Sequence, residues 1–76
     1  MTEHLLDLRG VACPMNFVKT KLYMDKMPGG ETVRVLLDDG EPVESVSESI
    51  TAEGHVITDK QLQPDGHYSL LIRKAL

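Results

Sequence analysis

Proline opens two of the chain's apolar segments and glycine closes both, which limits where its helices can lie. Pro14 begins a helical pattern that stops at Pro28-Gly29-Gly30, and "GEP" (40–42) begins a second that stops at Gly54. Proline suits the first turn of a helix, where its missing N–H has no intrahelical acceptor and its fixed φ is already helical. Glycine past the far end supplies the conformation that ends a helix. The segments between read as strands: "HLLDLR" (4–9), "ETVRVLLDD" (31–39), "HVITDKQL" (55–62) and "HYSLLIRK" (67–74). Val33, Val35 and Leu37 share one face of the second strand and Leu36 lies beside Arg34 on the other, the pattern of a central strand. "QPDG" joins the last two strands as a hairpin. The expected fold is an α/β two-layer sandwich of order β-α-β-α-β-β, with two helices on one face of a mixed four-stranded sheet.

Seventy-six residues make one domain, 1–76, with a single core. With no tryptophan, one phenylalanine and two tyrosines, that core must be built from Leu, Val, Ile and Met. A chain this short cannot enclose a deep pocket and keep a packed interior, so its chemistry is expected at the surface, with a partner completing the site. The formal charge of −4 speaks against nucleic-acid binding, which needs clustered Lys and Arg. The charge is unevenly placed. Lys19, Lys21 and Lys26 stand against one Asp25, whereas residues 38–53 hold Asp38, Asp39, Glu41, Glu44, Glu48 and Glu53 with no base. One cationic helix and one anionic segment suit docking to proteins. The sequence "MTEHLLDLRG" lacks a secretory pattern, no apolar run is long enough to span a bilayer, and one cysteine cannot close an internal disulfide. A reducing cytoplasm is the expected setting, with no membrane role.

On a helical wheel, Phe17, Thr20, Met24 and Met27 fall within about 80° and include no charge, so they form the expected core face. Met15, Val18 and Leu22 make a second apolar stripe on roughly the opposite side, flanked by Lys19, Asp25 and Lys26. In a two-layer fold that side faces water, and an apolar patch rimmed by charge is how a partner surface looks. The alternative is that the faces are reversed and these three are core.

If Pro14 is the first helical residue, Cys13 is the N-cap, at the positive end of a helix dipole among N–H groups without acceptors. Such a setting favours thiolate over thiol, and would equally stabilise a persulfide anion on that sulfur. Lys19 and Lys21 add positive potential. A lone cysteine can also be a small buried hydrophobe, and the residues alone leave both readings open. Other chemistries drop out. There is no C-x-x-C for dithiol exchange, and His4, His55 and His67 lack zinc-ligand spacing with Cys13. A Cys-His hydrolase has no orienting Asp or Asn to nominate, and His55 and His67 fit solvated or capping roles at strand starts. No phosphate-binding loop, dinucleotide fingerprint or Gly-Gly tail is present. No metal and no cofactor are expected. One activated thiol without a second in the same chain fits a group carrier.

"LDLRGVACP" (6–14), the basic helix after it, the strand running into "DD" and the closing "LLIRK" resemble the TusA/SirA-like sulfur-carrier family over nearly the whole chain. The resemblance implies that Cys13 accepts a sulfane sulfur from a protein donor, a cysteine desulfurase or rhodanese-like enzyme, and relays it as a persulfide to an acceptor protein. It implies destinations such as tRNA thiolation, molybdenum-cofactor maturation or sulfur metabolism. A monomer is the default expectation, although the second apolar stripe could equally be a dimer face. Pro14 matches the first proline of the family's Cys-Pro-x-Pro, and Asp7, Arg9 and Gly10 match the strand and turn that present the cysteine. Asn16 stands where the second proline would be, and brings a backbone N–H and a side-chain amide to the first turn. Met15, Val18 and Leu22, with Lys19, Lys21 and Lys26 around them, are the expected docking surface. The alternatives are a regulatory or interaction module with a vestigial thiol, and a thiol redox sensor.

Overall fold

The computed structural model of the chain describes residues 3–12 and 14–76, without the side chain of Glu3. It contains β1 (Glu3–Asp7), α1 (Met15–Asp25), β2 (Thr32–Leu37), α2 (Glu41–Ala52), β3 (Val56–Leu62) and β4 (Tyr68–Arg73). The sheet order is β1-β2-β4-β3. β1 lies parallel to β2, with Leu6 opposite Val35, and β2 runs antiparallel to β4, with Val35 opposite Leu70. β3 completes the sheet antiparallel to β4, with an irregularity between Ile57 and Asp59. β2 is therefore an inner strand, as its two apolar faces predicted.

Val33, Val35 and Leu37 alternate with less buried neighbours along β2 and are fully buried, as are Leu70 and Ile72 of β4. Against them pack Met24 and Met27 from α1 and its C-terminal extension, Val43, Val46 and Ile50 from α2, and Leu8 after β1. Aliphatic and thioether side chains do make this core. Phe17, Tyr23 and Tyr68 sit half-buried at its margin. Truncating one of the buried side chains to alanine costs about 2–5 kcal/mol, lost transfer energy plus the cavity left behind.

The helix ends refine the sequence boundaries. α1 begins at Met15, one residue later than expected, because Pro14 has φ −93° and ψ 5° and acts as the cap residue outside the helix. The first turn is nonetheless wound, since Asn16 N–H donates to Ala12 O at 3.2 Å and Val18 N–H to Pro14 O at 3.0 Å. α2 ends as Gly54 predicted. Gly54 has φ +92°, its N–H donates to Thr51 O, and the next N–H, of His55, reaches back to Ile50 O. This double bond pattern satisfies two carbonyls that the helix end would leave open.

One expectation for α1 needs correction. The buried stripe is Asn16, Thr20, Met24 and then Met27, while Phe17 is only half-buried. Three of the four expected residues hold, and the buried sector is shifted by only about 25° from the one drawn on the wheel, enough to take in Asn16 and leave Phe17 at the margin.

Candidate functional site

The topology gathers the chemistry-bearing segments at one end of the sheet. α1 connects two parallel strands and so runs against them. Its start therefore lies beside the C-terminal ends of β1 and β2. β3 is parallel to β2 through their shared antiparallel neighbour β4, so α2 also starts at that end, and the β3–β4 turn closes there. Two helix N-termini, each carrying partial positive charge, are brought to the same pole.

Asp7, Arg9 and Gly10 build a hook at the end of β1. Leu8 N–H donates to Leu36 O at 2.9 Å, prolonging the ladder by one bond, and Val11 N–H turns back to Leu8 O at 3.1 Å. Within this turn Arg9 Nε donates to Asp7 Oδ1 at 3.0 Å and Nη2 to Asp7 Oδ2 at 2.7 Å, a two-pronged grip, and the Arg9 backbone N–H adds a third bond at 3.1 Å. The Arg9 guanidinium, with its backbone N–H second, holds the Asp7 carboxyl down at about 2, against 3.8 ordinarily. Asp7 in turn raises the Arg9 pKa. Gly10 carries φ +80°, which glycine adopts without strain, and its N–H donates to Asp38 Oδ2 at 2.8 Å. Arg9 Nη1 also lies 3.7 Å from Asp65 Oδ2 in the β3–β4 turn. The hook is thus fastened to the end of β2 and to the hairpin. Asp38 and Asp65 were legible in the sequence only as a member of a charge run and as a turn residue.

Cys13 lies outside the described residues. The chain reaches it from the hook and leaves it through Pro14 into α1. Pro14 and Ala12 on either side are exposed. α1 has no side-chain cap and no acidic residue in its first turn, so no carboxylate of its own competes for the positive end of its dipole.

Asn16, the second residue of α1, is completely buried. Its Oδ1 accepts the Phe17 N–H at 2.7 Å, and its Nδ2 is a buried donor with no partner among the described residues. Thr20, one turn on and equally buried, donates its hydroxyl to Asn16 O at 2.8 Å. The backbone N–H that Asn16 was expected to bring to the first turn is present but engaged, since it donates to Ala12 O at 3.2 Å. The spacing of Asn16, Thr20 and Met24 at i, i+4, i+8 was the signal that would have found the buried asparagine.

Met15, Val18 and Leu22 are exposed on α1, at 49%, 37% and 58%. Lys19 and Lys26 beside them are exposed and make no ion pair among the described residues. Lys21 differs, with Nζ 2.9 Å from Glu53 Oε1 on the end of α2 and 4.0 Å from Asp25. The histidines lie apart from one another. His4 Nε2 meets Glu31 Oε1 at 2.7 Å and its Nδ1 meets the Tyr23 hydroxyl at 3.1 Å. His55 Nδ1 accepts the Ala75 N–H, and His67 bonds to Asp65. Among the described residues no three His, Cys, Asp or Glu side chains converge as a metal site, and no helix is long and apolar enough to cross a membrane.

Comparisons with known proteins cover the whole of this architecture. The family model described as Sulfurtransferase TusA matches residues 4–74. A protein of Archaeoglobus fulgidus described as "Putative sulfur carrier protein" is 37% identical over 72 residues, spanning 95% of this chain and 82% of that one. TsuB of Escherichia coli (strain K12), described in the same words, is 29% identical over 70 residues, spanning 92% and 93%. In the crystal structure of a SirA-like protein of Desulfitobacterium hafniense the same fold covers 99% of this chain and 100% of that one, with a TM-score of 0.82 at 17% identity.

Proposed function

The chain belongs to the TusA sulfurtransferase family, and on that premise we propose that it is a sulfur carrier whose cargo is held as a persulfide on Cys13. The observation that carries the reading is the hook at residues 7–10. Three elements, β1, β2 and the hairpin turn, are bonded together by Asp7, Arg9, Gly10, Asp38 and Asp65 at the point where the chain runs into Cys13 and α1. A rigid lead-in to an exposed segment at a helix start is what a thiol needs if it is to be presented to other proteins.

The transfer conserves atoms and electrons. The Cys13 thiolate attacks the outer sulfur of a persulfide on the donor protein, the donor's S–S bond breaks, and the donor cysteine leaves as thiolate. Cys13 then holds the sulfane sulfur, and an acceptor takes it by the same exchange in reverse roles. No oxidant is consumed. The positive ends of α1 and α2 favour the anionic sulfur at each stage. The remaining catalytic groups belong to the partners, a cysteine desulfurase or rhodanese-like donor and an acceptor protein, which dock over Met15, Val18 and Leu22 with Lys19 and Lys26 steering them.

The test is intact-mass measurement after incubating reduced protein with a cysteine desulfurase and cysteine, or a rhodanese and thiosulfate. The expected result is a mass increase of one sulfur that is absent from Cys13→Ser. If no donor loads the protein, the carrier reading fails and an interaction module with an idle thiol takes its place.

A further inference from the structure

At the end of the sheet away from the hook, side chains from three segments form a continuous hydrogen-bonded row. Glu31, just before β2, meets His4 Nε2 at 2.7 Å, and His4 Nδ1 on β1 meets the Tyr23 hydroxyl of α1 at 3.1 Å. His4 and Tyr23 also line a cleft of about 220 Å3, together with Lys26 and Met27. Met27 is buried and forms its floor, whereas Lys26 is exposed and stands at its rim. Pockets for drug-sized ligands run from about 300 to 1,000 Å3, so this cleft fits a smaller molecule.

The row fixes what the cleft can recognise. An ionised carboxylate only accepts, so the hydrogen between Glu31 and His4 is on Nε2. In the neutral ring Nδ1 then carries a lone pair, and the bond to Tyr23 is made by the phenol hydrogen. The Tyr23 oxygen has given its one hydrogen to His4 and keeps only acceptor capacity, so it takes an N–H or O–H donor. Lys26 makes no ion pair among the described residues, and its ammonium takes an anion. Residues three apart at a helix surface stand about 5–6 Å from Cβ to Cβ, so donor and anion are close neighbours on one molecule. α1 ends at Asp25, which sets the cleft beside the negative end of its dipole and favours a cationic donor over a neutral one.

We infer that this cleft is a binding site for a free α-amino acid with a short aliphatic side chain. The carboxylate pairs with Lys26, the ammonium donates to the Tyr23 oxygen, and the side chain covers Met27. The carboxylate and ammonium of an α-amino acid have the required closeness, and its apolar part matches the floor. No group of the hook takes part, so the site is independent of the carrier reading. A zwitterion adds no net charge, so steering by Lys26 is unchanged when the cleft is filled.

The test is an NMR titration of the reduced protein with L-leucine, following the Met27 methyl and Tyr23 ring signals. It is run at about pH 8, above the ordinary histidine value of about 6.5. The expected result is a saturable shift of both signals, with a dissociation constant on the order of 1 mM. Isocaproate lacks the ammonium and isoamylamine lacks the carboxylate. Each should bind about tenfold more weakly, the scale of one lost charge-assisted contact. In Lys26→Gln the preference for leucine over isoamylamine should vanish, and in Tyr23→Phe the preference over isocaproate. Lys19→Gln should bind leucine as the wild type does, and circular dichroism confirms the fold of each variant. Shifts that never saturate, or three probes that bind equally, would overturn the inference and leave the row a structural tie. Selectivity that survives both substitutions would overturn it as well.

Discussion

Lys21 Nζ lies 2.9 Å from Glu53 Oε1, so a lysine of α1 is bonded to the residue that caps the far end of α2. The contact raises the Lys21 pKa and lowers that of Glu53, each through the hydrogen bond first. Lys21 is therefore partly a structural tie between the helices, whereas Lys19 and Lys26 remain available to a partner. Lys21→Glu should lower the thermal midpoint at low salt, a deficit that shrinks at high salt as repulsion from Glu53 and Asp25 is screened. Lys19→Glu should leave the midpoint in place and slow association with the sulfur donor by about tenfold at low salt. Stopped-flow association and thermal melts on both variants check the division.

The apolar stripe on α1 makes a separate prediction. Leu22 is 58% exposed and lies next to cations, so Leu22→Glu should fold normally while reversing the character of the surface. Protein-to-protein sulfur transfer should fall at least fivefold, the scale of losing a central interface anchor. Loading by an inorganic polysulfide, which needs no docking, should be unchanged. Equal losses in both assays would place the effect at the thiol and not at the surface.

The Asp7–Arg9 clamp fixes a pH dependence. Asp7 titrates at about 2 in the fold and at the ordinary 3.8 when the clamp is absent. A folded value below the unfolded one means that the clamp contributes fully above about pH 4 and is lost as pH falls toward 2. Carboxyl carbon shifts followed by NMR should show Asp7 titrating at about 2 in wild type, well below the ordinary 3.8. In Arg9→Gln its midpoint should move back up toward the ordinary value.

At the opposite end of the sheet, His4 ties three elements together. Its ring joins β1 to Glu31 before β2 and to Tyr23 on α1, and stands edge-on to the tyrosine at a centroid distance of 5.7 Å. Tyr23→Phe removes one of these bonds while keeping the ring, and should cost about 0.5–1.5 kcal/mol by urea denaturation. Its effect on Cys13 alkylation should be nil. A changed alkylation rate would mean that the two ends of the molecule communicate.

The fold was readable because its signals are local and mutually consistent. Val33, Val35 and Leu37 alternate, Val43, Val46 and Ile50 repeat at helical spacing, and proline and glycine mark the boundaries. The hook was legible only in part. Asp7, Arg9 and Gly10 could be named, but Asp38 and Asp65 are 28 and 55 residues beyond Gly10 and join it through strand pairing that no short-range pattern reports. The rotation of α1 was missed for a different reason. An amphipathic wheel ranks faces by hydrophobicity, and Asn16 with Thr20 is a polar pair that the packing buries all the same. The wheel therefore pointed to Phe17.

The molecule is thin, 16 Å along its shortest axis, and the residues that flank Cys13 are exposed. On the proposed reading, the carried sulfur travels between those exposed neighbours on its way from donor to acceptor. Free thiols in the surrounding solution compete for the cargo from the moment the donor departs. Fidelity of delivery then becomes a race between two rates, encounter with the acceptor and theft by small molecules, and the abundance of the carrier relative to those thiols sets how much sulfur arrives.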